Sequence, residues 1–466
     1  MLFSDPIFFL FLAFYLLIHF SIPLRYRIHL IIVGSTIFYA YWRVEYVWIP
    51  YLLTLIAWAG ALWLTGTANL RQRKIRLIIS IVLLFLPLAV LKYANFFAHE
   101  AGRVLPEIAG NQPWLKYAPP LAVSFVTFTL TAYLVDVYRG QYKRETKLTS
   151  LLGYVLFFPH LIAGPILRPK ELMPQLNAPK AAISGKFIFG LALFTLGLVK
   201  KVVFADTIAG VVDPVFKAGA NPAGLEYLLA IYGYSMQIYC DFSGYTDMAI
   251  GVAYILGIRL PTNFRRPYAS KSILQFWRRW HITLSHWLRD YLYIPLGGNR
   301  RGRPRQLANI LVTMILGGLW HGANWTFVIW GLLHGIALAI AHSVSGAMAR
   351  AGLRLPRLLS VMLTFNFVTL AWVCFRSPDI DTAHRVLAGP FVAGLGSIPR
   401  FLAANGFELA LLTIFLATHR FDQHARVLLL VRRCNRGIIL ATVALAFLVA
   451  ITISQGSSAK FIYFDF

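Results

Sequence analysis

Two short segments place ionisable side chains among apolar neighbours, where they could do chemistry. The first is Phe276-Trp277-Arg278-Arg279-Trp280-His281, continuing through Leu284-Ser285-His286-Trp287-Leu288-Arg289-Asp290-Tyr291. At about 3.6 residues per turn, Trp277, His281, Leu284 and Leu288 share one stripe, and Arg279, Thr283, His286 and Asp290 a more polar one. The spacing predicts an amphipathic helix with His281 on its apolar side and His286 on its polar side. His281 is then either a packed, hydrogen-bonded histidine or a reactive one; His286 reads as solvated or ion-paired. The second segment is Leu316-Gly317-Gly318-Leu319-Trp320-His321-Gly322-Ala323-Asn324-Trp325. His321 follows Gln306, the start of an apolar run, by 15 residues, or roughly 22 Å of helix. An imidazole so deep in apolar sequence is costly and normally faces a protein interior or a watery cavity. It titrates near neutral pH and is suited to take a proton from a hydroxyl. The flanking glycines would let a backbone or a ligand come close. A histidine bonding across helices for packing is the competing reading, and His334 has a weaker case still.

Other chemistries are less well supported. There is no HExxH, no Cys/His cluster and no carboxylate beside His321, so no metal site is expected. No GxSxG elbow marks a Ser-His-Asp arrangement. Asp241 and Asp247 lie inside a long apolar stretch, where a carboxylate needs a partner; pairing with nearby arginines and lining a substrate tunnel both fit. Asn263, Arg265 and Arg266 could hold phosphates or lipid headgroups. Cys240, Cys374 and Cys434 form no disulfide pattern and are expected to be small buried hydrophobes.

The elements that must position these residues are membrane helices. Of 466 residues 58% are hydrophobic and 13% charged, and mean hydropathy is +0.65; soluble domains carry about 25% charged residues. Apolar runs fall near 2–22, 28–44, 46–65, 76–97, 117–138, 151–167, 184–203, 223–258, 306–320, 325–346, 357–375, 401–418 and 437–454. They predict an all-α polytopic membrane protein of about 11 transmembrane helices with re-entrant or interfacial pieces. The first run lacks a basic leader and is read as a retained span. Pro159, Gly164 and Pro165 mark 151–167 as a broken helix, tolerated at membrane depth only where protein or water satisfies it. The segment 261–305 is too charged to span and suits an interfacial helix. The formal charge of +26 gathers in short loops: Arg71 to Arg76, Arg139 to Arg144, Arg300 to Arg305, and Arg426 to Arg436. The positive-inside rule places all four in the cytoplasm and explains the charge without nucleic acid. The loops near 98–116 and 211–226, and the tail 455–466, then face outward.

Taken together, Tyr239–Asp247, Phe276–Gly298 and Gly317–Gly335, supported by Pro159-His160-Leu161-Ile162-Ala163-Gly164-Pro165-Ile166, resemble the membrane-bound O-acyltransferase family. The likeness is greatest to its bacterial branch that O-acetylates alginate and other envelope polysaccharides. The resemblance implies one transmembrane domain over 1–466, with helices ringed around a central tunnel. It implies that the family's membrane histidine is His321 and its second polar position His281. Asn263, Arg266, Trp277, Arg278, Trp320, Asn324, Asp241 and Asp247 become candidates for lining the donor tunnel. The implied activity is transfer of an acetyl group from acetyl-CoA or another acyl thioester, across a bacterial inner membrane, toward a polysaccharide. A periplasmic acetyltransferase partner and membrane lipids would take part, with no bound cofactor. The ending Phe461-Ile462-Tyr463-Phe464-Asp465-Phe466 resembles a terminal F-x-Y-x-x-F of this branch, in which Tyr463 would carry the acyl group; an interfacial aromatic anchor is the alternative. Against an enzyme stands a transporter or flippase, which would also show broken helices and buried polar residues; an acyltransferase acting on lipid or protein is the third possibility. Release of free thiol from the donor separates enzyme from transporter.

Overall fold

In the computed structural model, residues 1–104, 120–178, 184–352, 355–454 and 461–462 are described, and every element among them is helical. Seven of these helices are long and apolar enough to cross a membrane: Val44–Thr65, Leu70–Arg103, Gly185–Val215, Trp325–Val344, Arg357–Arg376, Ile398–Phe421 and Arg436–Ile453. Pro6–Ser21 and Val123–Tyr138 are apolar but have 16 residues each. Sixteen residues rise about 24 Å, short of the roughly 30 Å hydrocarbon core. The expectation of about 11 spans counted such shorter runs as well. Leu17, Val82, Leu358 and Leu448 leave large apolar side chains exposed, as helices facing lipid do.

The chain forms two compact units, 1–194 with 248–261 and 195–247 with 262–466. In the first, Trp48–Thr65, Leu70–Leu88 and Val123–Tyr138 pack mutually. The helix Leu148–Leu156 stops at Phe157, and a single turn, Phe158–Leu161, follows. The broken backbone is satisfied by protein, as its depth requires. Ser35 Oγ accepts from the Phe158 N–H at 3.1 Å, and Tyr154 Oη donates to the Leu167 carbonyl at 2.7 Å. His160 Nε2 meets the Tyr154 carbonyl at 2.7 Å.

The second unit holds His281 and His321. Its tightest pairing is the hairpin of Arg303–His321 and Trp325–Arg350. Small residues make that approach possible: a Cβ on Gly318 would overlap the Phe327 carbonyl oxygen, and one on Gly331 the Met314 carbonyl oxygen. A ring carbon of Phe327 fills the space beside Gly322. Gly318 and Gly322 therefore serve helix packing, not the approach of a ligand.

The expected single amphipathic helix over 276–291 does not form. Two short helices, Ile273–Trp277 and Ile282–Leu288, meet at His281, and a π-helical stretch, Arg289–Tyr293, follows. His281 has φ +42° and ψ +56°, a left-handed conformation that a β-carbon disfavours and that concentrates at functional positions. The helical stripe is thus the wrong reason for the right sidedness: His281 is fully buried and His286 exposed. Of the cysteines, Cys240 and Cys374 are buried as expected, but Cys434 is exposed at the end of the helix His424–Arg433.

Candidate functional site

His321 is the last residue of its helix, at the tip of the hairpin, and is 5% exposed. Three aromatic rings box the imidazole edge-to-face: Trp320 at 4.9 Å, Phe375 at 5.1 Å and Trp330 at 5.3 Å between centroids. Helix ending and box have one cause. Gly322 turns out of the helix with φ −159°, and the returning helix brings Trp330 back against His321. Trp330 also meets His334 at 4.8 Å. The Trp277 indole N–H donates to His334 Nδ1 at 3.3 Å, so Trp277 and His334 back the box.

His281 lies in a differently built pocket. The backbone crosses itself here: the Ile282 N–H donates to the Asn263 carbonyl at 2.9 Å, and the Arg265 N–H to the Arg279 carbonyl at 2.9 Å. This brings the Asn263 side chain to His281. Asn263 Oδ1 accepts from His281 Nδ1 at 3.2 Å, from the Thr283 N–H at 3.2 Å and from Thr283 Oγ1 at 3.0 Å. An amide oxygen only accepts, so the imidazole proton is fixed on Nδ1 and Nε2 presents a lone pair. Nε2 has no hydrogen-bond partner among the described residues. Burial pushes the imidazole down to about 3, so His281 is neutral at physiological pH. Asn263, considered above as a phosphate contact, is fully buried with its carbonyl oxygen engaged on His281 and Thr283.

The carboxylates are paired, but with lysines instead of arginines. Lys201 Nζ bridges Asp206 at 2.7 Å and Asp241 at 2.8 Å. Lys200 Nζ bridges Asp247 at 2.7 Å and Asp422 at 2.6 Å. Asp247 also meets His424 Nε2 at 2.6 Å, and Tyr239 Oη donates to Asp422 at 2.6 Å. Both lysines open a π-helical stretch, Lys200–Asp206; such insertions are often retained at functional sites. Sequence reasoning passed over Lys200, Lys201, Asp206, Asp422 and His424. The signal was a Lys-Lys pair within an otherwise apolar run.

Asp241 has a second task. Its Oδ2 accepts the backbone N–H of Ile462 at 2.7 Å, and the Phe461 ring stacks on Tyr245 at 4.6 Å and 27°. Phe461 also meets Phe242 at 6.1 Å, and Phe242 packs edge-on against His281 at 4.8 Å. The start of the terminal hexapeptide is therefore buried in the same unit as His281. Tyr463 lies outside the described residues. The remaining candidates sit further from these pockets' interiors. Arg278 is exposed, Arg266 reaches the Arg420 carbonyl at 3.5 Å, and Asn324 accepts the Thr326 N–H at 3.1 Å and donates to the Pro378 carbonyl at 2.6 Å. No group of three metal-ligating side chains occurs among the described residues.

Residues 144–377 match the profile of the membrane-bound O-acyltransferase family. A probable alginate O-acetylase of Pseudomonas aeruginosa is 40% identical over 90% of this chain and 80% of its own. A peptidoglycan O-acetyltransferase of Helicobacter pylori is 37% identical over 79% of this chain and 74% of its own. A teichoic acid D-alanyltransferase of Streptococcus thermophilus is 29% identical over 59% of this chain and 71% of its own. His281, Asn263, His321 and its Trp330–Phe375 box all fall within the matched span, and the chain belongs to the membrane-bound O-acyltransferase family as an acyltransferase enzyme.

Proposed function

We propose that this acyltransferase moves an acetyl group from a cytoplasmic thioester, acetyl-CoA, across the bacterial inner membrane for O-acetylation of an extracytoplasmic polysaccharide. The observation that carries the reading is the single buried imidazole at the hairpin tip, His321, held by aromatic rings within the span that matches the family. His321 is the general base. It takes the proton of an attacking hydroxyl as the oxygen bonds to the thioester carbonyl carbon; the C–S bond then breaks and the proton passes to the leaving thiolate. His281 positions the donor. Its Nε2 offers a lone pair and no proton, so it holds the donor by accepting from an N–H, such as a pantetheine amide, and does not polarise the carbonyl. Trp277 and Trp320 line this path, and Arg266 and Arg278 supply charge to the donor's phosphates on the cytoplasmic side.

Tyr463 is the first acceptor in this proposal: its hydroxyl receives the acetyl group and passes it to a periplasmic acetyltransferase partner that modifies the polymer. The buried Phe461–Ile462 pair held at Asp241 and Tyr245 supports this role over that of a free interfacial anchor. The alginate and peptidoglycan acetylases among the relatives favour an acetyl group on an envelope glycan over a lipid acceptor. Acetylation of the cell's exopolysaccharide and peptidoglycan, measured in His321→Ala and Tyr463→Phe strains with the protein shown present in the membrane, tests the proposal. Loss in both supports it. Normal acetylation in His321→Ala refutes the base; normal acetylation in Tyr463→Phe refutes the relay alone.

A further inference from the structure

The second unit contains a cavity of 570 Å³ away from His281 and His321. Much of its lining is apolar, from Leu196, Val199, Phe204, Phe415, Val427 and Leu430, and the Asp422 carboxylate that also lines it is neutralised by Lys200 and bonded by Tyr239. One polar group on its lining is unspent. His419, 5% exposed, accepts the Tyr268 N–H at Nε2 at 3.1 Å. That bond fixes the proton on Nδ1, and Nδ1 has no hydrogen-bond partner among the described residues. A buried donor without an acceptor costs about 1–3 kcal/mol, and a ligand acceptor in the cavity would remove that cost.

The rim is basic. Phe421 lines the cavity, and two guanidinium groups stand over its ring, Arg420 at 4.5 Å and Arg426 at 4.7 Å. Beyond it runs His424–Arg433, a helix with no buried residue, with Leu429 and Leu430 exposed and Arg432 and Arg433 in its last turn. Apolar and basic faces on one exposed helix are the pattern of a segment lying at the level of lipid headgroups. The neighbouring span Ile398–Phe421 leaves Leu402, Phe407, Ile414 and Leu416 exposed as apolar surface for lipid.

Apolar walls, one buried donor without a partner among the described residues and a cationic rim describe one molecule in order. We propose that this cavity is a specific site for an anionic phospholipid. One acyl chain lies along the apolar walls, an ester carbonyl or phosphate oxygen accepts from His419 Nδ1, and the phosphate meets Arg420 and Arg426. The site requires no acyl transfer, so its test is independent of the function proposed above.

The full-length chain, purified in detergent, is titrated with phosphatidylglycerol or phosphatidylcholine of identical chains and read by native mass spectrometry, with inorganic phosphate as a separate competitor. The wild type should keep one phosphatidylglycerol per chain and prefer it by roughly 10- to 30-fold, two cations' worth at a membrane surface. Arg420→Gln with Arg426→Gln, both at exposed positions, should abolish the preference. His419→Phe should weaken retention of both lipids, and His419→Gln, which keeps a donor, should restore part of it. Equal retention of the two lipids by the wild type, an unchanged preference in the arginine double variant, or displacement of the lipid by inorganic phosphate alone would overturn the proposal. If His419→Phe fails to fold, the arginine pair and His419→Gln still decide it.

Discussion

Gly318→Ala is the smallest change that should move His321 without touching it. Gly318 lies one turn before His321, and its added Cβ would overlap the Phe327 carbonyl oxygen while standing 3.2 Å from the Gly331 Cα and N. All three neighbours are backbone and cannot swing aside. Restoring ordinary contact requires the two helices of the hairpin to part by roughly 1 Å. Elsewhere in a helix Gly→Ala stabilises by a few tenths to about 1 kcal/mol; here overpacking should reverse the sign and cost about 1–3 kcal/mol. The larger effect is on geometry. Trp330 and Phe327 sit on the moving helix, so the box around His321 opens, and a 1 Å misplacement can cost about 100-fold in rate. Gly317→Ala is the control, because its Cβ would meet only Leu288 Cδ1 at 3.2 Å, the end of a flexible side chain. Thermal unfolding and acetyl-CoA thiol release by the purified variants give both readouts. A folded Gly318→Ala with the wild-type rate, or a Gly317→Ala just as damaged, would refute the reasoning.

Other outcomes follow from the same contacts. Asn263→Ala should release the His281 ring and lower turnover by about 10- to 100-fold with KM for the thioester raised, as expected of a lost orienting partner; Asn263→Asp, which keeps the acceptor, should recover most of it. Lys201→Met strips the shared cation from Asp206 and Asp241 and should destabilise by about 3–5 kcal/mol in thermal or denaturant unfolding. Asp241→Ala should free the Ile462 N–H, so that a cysteine placed at 462, in a chain with Cys434 removed, reacts with maleimide faster than in the Asp241 background. The His281 imidazole is held at about 3, below its ordinary 6.5. A depressed group contributes stability above its unfolded value that is lost as pH falls toward its folded one. Unfolding temperature should therefore drop between pH 6.5 and 3, less steeply in His281→Gln.

Some of this architecture was legible before any coordinates, and the reasons are physical. Spans announce themselves through apolar length, and Pro159 with Gly164 announces the break after Leu156, because those residues cannot continue a helix. The burial of His321 and His281 followed from their apolar neighbours. What was not legible depends on contacts between distant segments. The left-handed turn at His281 arises because 263–265 pairs with 279–282, so helical periodicity gave the side of His281 but not its conformation or its tautomer. The partners of Asp241 and Asp247 were expected to be arginines, which are abundant nearby in sequence. Lys200 and Lys201 lie inside the apolar run 184–203, which reads as one span, and a π-helical insertion that turns two adjacent lysines toward two separate pairs of carboxylates has no sequence period. Gly318 and Gly322 offered room for a ligand or for another helix, and sequence alone does not say which one takes it.

The central claim is that this chain cleaves an acyl thioester at His321. The purified protein, incubated with acetyl-CoA and an acceptor-bearing membrane or partner fraction, should release free thiol in step with acetyl transfer. His321→Ala, folded by thermal unfolding, should lose that release by about 10²-fold or more, the usual contribution of a general base. Thiol release by a folded His321→Ala at the wild-type rate would contradict the account, and so would acetyl movement across the membrane without any thiol released.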